Sequence, residues 1–84
     1  MKTVLLDGRA LTHAALAEAF GFPPYYGRNL DALFDCLGDI GEETAVVVVH
    51  FGEADEGGRQ LLRVLADGVR ENPRLRLFFA EEIL

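Results

Sequence analysis

A run of β-branched residues near the middle of the chain limits its fold more than any other feature. The run, TAVVVVHF from Thr44 to Phe51, contains consecutive valines and shows no alternation of polar and apolar residues. Unbroken apolar strands of this kind are typical of parallel sheets, in which both faces of each strand are covered. We therefore expect a buried parallel strand here, connected to its neighbours by helical crossovers.

The sequence on either side of this run supplies the crossovers and two further strands. Apolar stretches at residues 3–8 and 74–84 predict the first and third strands, and residues 52–58 are expected to form an acidic, flexible connection. Three helices are indicated, one capped by Thr12 and closed by Gly21, one capped by Asn29, and one over residues 59–72. We predict a single α/β domain over residues 1–84, with a three-stranded, mainly parallel sheet packed with about three helices.

The charge balance restricts the classes of partner. The chain has 14 Asp and Glu against 8 Lys and Arg, for a net charge of −6. Such a surface repels nucleic acid and anionic membranes, because both are recognised through clusters of Lys and Arg. A basic protein would be attracted. We expect no nucleic-acid or membrane partner, although solubility alone also explains a charge of this size.

The single cysteine and the lengths of the apolar runs bear on the cellular setting. One cysteine cannot form an internal disulfide. No stretch approaches the ~18–20 consecutive apolar residues of a membrane span. These features favour a reducing, cytoplasmic setting, and we expect the free protein to be a monomer.

The predicted second helix carries three aspartates at intervals of four residues, which we call the acidic stripe (Asp31, Asp35 and Asp39). On a helical wheel the stripe lies beside the apolar core face, with Phe34 at the border. Like charges at this spacing destabilise a helix by about 0.2–0.5 kcal/mol per pair, and the helix dipole opposes Asp39 near the C-terminal end. A locally unfavourable pattern often marks a functional site, whereas the ordinary alternative is a solvated face of an acidic protein.

Two kinds of ligand could require such a stripe. Hard cations take carboxylate oxygens, but no second cluster in the sequence completes a coordination shell, and His13 and His50 fall in other elements. Basic proteins offer arginines that bind carboxylates in pairs of hydrogen bonds. The aromatic loop PPYYG just before the stripe favours protein recognition, because exposed tyrosines provide rigid contact area. We therefore expect no metal and no cofactor.

The remaining reactive side chains have structural explanations. We expect Tyr26 to pack inward and Tyr25 to face solvent, and Cys36 to behave as a small buried hydrophobic residue. His13 is expected to be solvated, and His50 to be hydrogen-bonded at a strand end. An enzyme that uses Asp31, Asp35 and a histidine is the less favoured alternative, and we expect no catalytic residue.

The stretch YYGRNLDALFDCL resembles the signature of the barstar family, the intracellular inhibitors of secreted barnase-type ribonucleases. The match runs from Pro24 to Leu37 and extends more weakly along the chain. The resemblance implies a protein that blocks a basic, extracellular-type ribonuclease with its second helix and the preceding loop, and that has no chemistry of its own. It implies a partner-binding site at Tyr25, Gly27, Asn29, Asp31, Phe34, Asp35 and Asp67.

The resemblance also implies a role for individual residues of this site. Tyr25 matches the tyrosine that stacks on a catalytic histidine, and Asn29 and Asp31 match contact residues. Asp35 matches the aspartate that occupies the phosphate site and pairs with arginines. Asp67, in the last helix, matches a glutamate that also contacts the enzyme.

Several positions depart from the family pattern. Phe34 and Ile40 stand where tryptophans are usual, and Arg28 stands where an acidic residue is typical. The segment between the second strand and the last helix is also a few residues shorter than the family pattern. It therefore leaves little room for an additional small helix before the last one. These departures keep open an alternative function, an immunity or regulatory module that binds another basic protein through the same face.

Overall fold

The computed structural model describes residues 1–80 and contains one sheet of three parallel strands in the order β1-β2-β3. The strands are β1 (Lys2–Asp7), β2 (Thr44–Val49) and β3 (Leu75–Ala80). The helices are α1 (His13–Phe20), α2 (Leu30–Gly38) and α3 (Glu56–Glu71). The predicted fold class is therefore confirmed, while residues 81–84 of the predicted third strand lie outside the described residues.

Side-chain caps begin each of the helices. Thr12 Oγ1 accepts a hydrogen bond from the backbone N–H of Ala15 at 3.0 Å, and Asp55 Oδ1 accepts one from Gly58 at 2.8 Å. Helix α1 ends at Gly21, whose φ of 73° is the left-handed conformation that glycine adopts easily. The prediction that residues 52–58 form a flexible connection is wrong, because Asp55 caps α3, which begins at Glu56. The residues just before Asp55 include one 3-10 turn, Phe51–Glu53.

Apolar residues of the helices pack on one face of the sheet. Val4, Val46 and Leu77 are in register across the strands, and all belong to or pack against the buried core that the helices share. On the opposite face Leu5 and Phe78 are each 52% exposed, and Val47 between them is only half-buried. The prediction that β2 is covered on both faces is wrong for this second face.

The strand order explains the one-sided arrangement. A crossover between neighbouring parallel strands is right-handed in nearly every protein. When the strands follow one another in sequence order across the sheet, two right-handed crossovers place their helices on the same side. Helices would cover both faces of the sheet only if the direction in which successive strands are added reversed part of the way through the chain.

Candidate protein-binding surface on helix α2

The N-terminal end of α2 is fixed by local contacts. Asn29 Oδ1 accepts a hydrogen bond from the backbone N–H of Ala32 at 2.8 Å, as its predicted role as N-cap requires. Asn29 Nδ2 donates to the Gly27 carbonyl at 3.4 Å. A Cβ atom at Gly27 would lie 3.2 Å from that nitrogen, so the glycine lets the loop approach the helix closely.

The C-terminal end of α2 is fixed by α3. Asn72 Nδ2 donates to the carbonyl oxygens of Leu37 at 2.9 Å and Ile40 at 3.0 Å, at the end of the helix, where the last carbonyls lack intrahelical donors. The Leu37 carbonyl also accepts a longer hydrogen bond, of 3.4 Å, from the Ile40 backbone N–H. Gly68 lies directly against Leu37, since a Cβ there would meet Leu37 Cδ1 at 2.7 Å. Leu33 and Leu37 are fully buried, so the backbone of α2 is held at both ends and along its inner face.

The acidic stripe lies on the outer side of α2. Asp31, Asp35 and Asp39 are all exposed. In the part of the chain that the structure describes, none of the salt bridges involves a residue of the stripe. Two exposed apolar side chains, Leu30 and Phe34, lie on the same helix. The outer side of α2 therefore combines unpaired carboxylates with apolar area.

The two tyrosines of the loop that precedes α2, which we call the tyrosine loop (residues 21–28), have different environments. The side chain of Tyr25 is 87% exposed, whereas Tyr26 is buried in the core. The Tyr26 hydroxyl lies 2.6 Å from His13 Nδ1, and burial raises the pKa of that hydroxyl. His13 is thus a half-buried partner of Tyr26, and the prediction that it is solvated is wrong.

Arg28 is the residue of the tyrosine loop with an unusual backbone. Its φ is 53°, in the left-handed region that residues other than glycine and asparagine seldom adopt. This conformation directs the chain into the N-cap at Asn29, and the Arg28 side chain is exposed beside the start of α2.

Asp67 lies on the neighbouring helix α3. Its side chain is 57% exposed, and Arg70 Nη2 lies 3.4 Å from its Oδ1. The next residue, Gly68, is the one that packs on Leu37, so Asp67 is adjacent in sequence to the α2–α3 contact. The other predicted site residues are all exposed and lie in the tyrosine loop, at the N-cap or on α2: Tyr25, Gly27, Asn29, Asp31, Phe34 and Asp35. The role of each in binding stays a prediction.

Cys36 is half-buried on α2 between Asp35 and Leu37. Burial raises the pKa of its thiol, and the nearby carboxylates of Asp39 and Asp35 raise it further. A nucleophilic cysteine requires a shift in the opposite direction, because the thiolate is the reactive form. The environment of Cys36 therefore favours the protonated, unreactive thiol.

Residues 1–80 contain neither a cluster of metal-ligating side chains nor a helix that could cross a membrane. No group of three or more His, Cys, Asp and Glu side chains in that range is arranged to hold a metal ion. Over the same range, no helix has the length and apolar character needed to cross a membrane.

Sequence reasoning missed the residues that hold α2 from a distance. Asn72 is the last residue of the predicted third helix and precedes a proline, but this position does not reveal that its amide closes the end of α2. Gly68 is an unfavourable residue in a helix interior, but it allows α2 and α3 to approach. In both cases the partner is a residue on another helix, so no local pattern reveals it.

Comparison with known proteins agrees with these features. A family model described as "Barstar (barnase inhibitor)" matches residues 1–79. A Bacillus subtilis (strain 168) protein named "Putative ribonuclease inhibitor YrdF" is 48% identical over 42 residues. That match spans 44% of this chain and 46% of the relative, so less than half of either protein is aligned.

Proposed function

Since the family model matches residues 1–79 of its 84, this chain belongs to the barstar family, and on that premise we propose that it inhibits a barnase-type ribonuclease. The partner is a basic ribonuclease of the extracellular type, and the inhibitor acts in the cytoplasm of the cell that makes it. Inhibition is by steric and electrostatic blockade of the active site with α2 and the tyrosine loop.

The acidic stripe supplies the electrostatic part of the blockade. A ribonuclease active site binds phosphates and is therefore rich in cationic side chains, which also form strong, charge-assisted hydrogen bonds with carboxylates. Asp31 and Asp35 are one helical turn apart, with Cβ atoms separated by about 5–6 Å at this spacing. Asp35 is the central anchor in the phosphate site, and Asn29, Asp31 and Asp67 are flanking contacts.

The exposed aromatic side chains supply the packing part. The Tyr25 ring is free to stack on a flat group of the enzyme, as a nucleobase would, and Phe34 adds apolar area next to Asp35. Gly27 leaves the loop backbone accessible between them. The outer side of α2 thus resembles a short stretch of RNA, with carboxylates in place of phosphates and an aromatic ring in place of a base.

One observation carries this proposal: a helix that is anchored at both ends bears exposed carboxylates without cationic partners, and the loop just before it bears a tyrosine that is 87% exposed. Within residues 1–80, no cationic side chain forms a salt bridge with the stripe that would offset the repulsion among its carboxylates. A cationic partner would remove that repulsion and, because the backbone is already held in place, would lose little conformational entropy of the inhibitor on binding.

An inhibition assay with purified barnase and a fluorogenic RNA substrate tests the proposal. We expect the wild-type chain to inhibit, and Asp35→Ala to raise the inhibition constant at least about tenfold, because hydrogen bonds to charged groups contribute about 1.5–3 kcal/mol. The melting temperature should change little, since Asp35 is exposed and has like-charged neighbours.

The matched control is Glu18→Ala, which removes an exposed carboxylate from α1 on the side opposite to the buried Leu16 and Phe20. Its inhibition constant should equal that of the wild type. Equal inhibition by Asp35→Ala and Glu18→Ala would rule out the acidic stripe as the blocking element.

Arg28 favours a second candidate, an immunity or regulatory module that binds another basic protein through the same surface. Its exposed cation lies at the start of α2, where it would repel the arginines of a nuclease site. A wild-type chain that leaves barnase fully active, and that captures a basic protein without nuclease activity in a manner dependent on Asp35, would favour this candidate over the first.

A further inference from the structure

A cavity of about 290 Å³ opens between the tyrosine loop and the C-terminal half of α2. Three aromatic residues, Phe20, Phe22 and Tyr25, line one side of the cavity. The other side is lined by Cys36 of α2 and by Asp39 and Ile40, which follow the helix. The cavity borders the proposed ribonuclease-binding surface, because Tyr25 belongs to both.

The aromatic wall of the cavity is preformed. The Phe22 ring stacks on Phe20, with centroids 5.3 Å apart and planes only 5° apart. The other neighbour of Phe22 is the buried ring of Tyr26, at 5.0 Å. Phe22 is thus held in place by rings on two sides, whereas Tyr25 is largely exposed at the rim. A side chain that enters the cavity would therefore meet a fixed apolar wall.

The α2 wall of the cavity is negatively charged. Asp39 ends α2, where the helix dipole disfavours a carboxylate, and it has no salt-bridge partner within residues 1–80. Its backbone N–H donates to the carbonyl oxygens of Asp35 and Cys36, whereas its carboxylate, which can only accept hydrogen bonds, has no part in closing the helix end. Burial is the main reason that the pKa of Cys36 is raised, and the carboxylates of Asp39 and Asp35 raise it further.

We propose that this cavity binds an arginine side chain of the partner protein, with the guanidinium on Asp39 and the stem against Phe22. The proposal rests on the proposed function only for the basic character of the partner. An aliphatic occupant would strip water from Asp39 without replacing its hydrogen bonds. Arginine fits better than lysine, because a planar guanidinium both stacks on aromatic rings and binds a carboxylate through two hydrogen bonds.

The experiment uses the full ¹⁵N-labelled chain and a small probe, N-acetyl-arginine methylamide, titrated by NMR. We expect amide shifts confined to residues 20–25 and 36–40. The neutral isostere N-acetyl-citrulline methylamide should produce none of these shifts, and N-acetyl-lysine methylamide should bind more weakly. Asp39→Asn should weaken binding of the arginine probe by about tenfold or more, which corresponds to about 1.4 kcal/mol.

Glu18→Gln is the matched variant, because it removes the same charge from an exposed position on α1 that does not line the cavity. It should leave binding of the probe unchanged. Shifts that are equal for arginine and citrulline, equal for arginine and lysine, or insensitive to Asp39→Asn would overturn the proposal. The NMR titration contains no ribonuclease, so the two proposals can fail separately. Probe binding without barnase inhibition would reject only the proposed function. Barnase inhibition without probe binding would reject only the arginine site in the cavity.

Discussion

Asn72 directly follows α3, and its buried side-chain amide contacts both the end of α2 and the residue just before β3. Its nitrogen donates to the carbonyl oxygens of Leu37 and Ile40, and its oxygen accepts a hydrogen bond from the Arg74 backbone N–H at 3.0 Å. No other residue described here completes the end of α2 in this way. The conformation of the proposed binding surface therefore depends on a side chain that lies outside it.

Replacing Asn72 with alanine should lower the free energy of unfolding by about 2–3 kcal/mol, because buried backbone groups that lose their hydrogen bonds cost about 1–3 kcal/mol. Urea unfolding followed by circular dichroism measures the change. Glu71→Ala, one residue earlier and exposed, should have a much smaller effect. Equal stabilities of the two variants would contradict this role of Asn72.

Asp7 contributes a pH dependence to stability. Hydrogen bonds from the side chain and the backbone N–H of Arg9 hold the pKa of its carboxyl at about 2, below the ordinary value of 3.8. Because the folded-state pKa is the lower one, the stabilisation is complete above the ordinary value and is lost as the pH falls through the folded-state value.

The difference in unfolding free energy between wild type and Asp7→Asn should therefore be constant near neutral pH and should disappear between about pH 4 and about pH 2. Urea unfolding at a series of acidic pH values measures it. A difference that stays constant throughout this range would show that the carboxylate charge is not involved.

At the scale of the elements, the contact between α2 and α3 depends on a glycine. Alanine normally stabilises a helix interior by about 1 kcal/mol relative to glycine. At Gly68 the added methyl group would lie 2.7 Å from Leu37 Cδ1 and 3.0 Å from Leu37 Cβ. Leu37 is fully buried, so it has no free space into which to move.

Gly68→Ala should therefore destabilise the protein by about 1–3 kcal/mol, as overpacking of a core does. Gly57→Ala is the matched change in the first turn of the same helix, where the nearest atom is Asp55 Oδ1 at 3.6 Å. That variant should be neutral or stabilising. Thermal and urea unfolding of both variants tests the opposite signs, and stabilisation by both would show that α2 and α3 can separate without loss.

The predicted elements show which kinds of information the sequence carries. The caps at Thr12 and Asn29 and the end of α1 at Gly21 were predictable, because each depends on residues within a single turn. The early start of α3 was not recognised, because two glycines after Asp55 resemble a flexible loop. The position of the acidic stripe followed from helical periodicity alone, whereas the cavity beside Asp39 depends on how the tyrosine loop packs.

At the scale of the molecule, the helices cover one face of the sheet and leave the other open. The valine run of β2 predicted a parallel strand correctly, but it could not show that Val47 is only half-buried. Coverage of a sheet depends on strand order and on the hand of the crossovers, and these are properties of the whole chain. Leu5 and Phe78 are exposed for the same reason.

The net charge of −6 should accelerate association with a basic ribonuclease. Stopped-flow measurement with barnase should show an association rate constant that falls steeply as salt rises from about 0.01 to about 1 M, since the Debye length shortens from about 30 to about 3 Å. The dissociation rate constant should change much less. An association rate that is independent of salt would exclude steering by the overall field.

The two sides of α2 have separate tasks, and this separation has a consequence for how such proteins diversify. Leu33, Leu37 and the hydrogen bonds from Asn72 set the position of the helix, while Asp31, Phe34 and Asp35 add little to the folded state. Substitutions among the outward residues can therefore accumulate without unfolding the scaffold. A library randomised at those positions should yield stable inhibitors with new targets, and related chains that differ there should form mutually exclusive inhibitor–enzyme pairs.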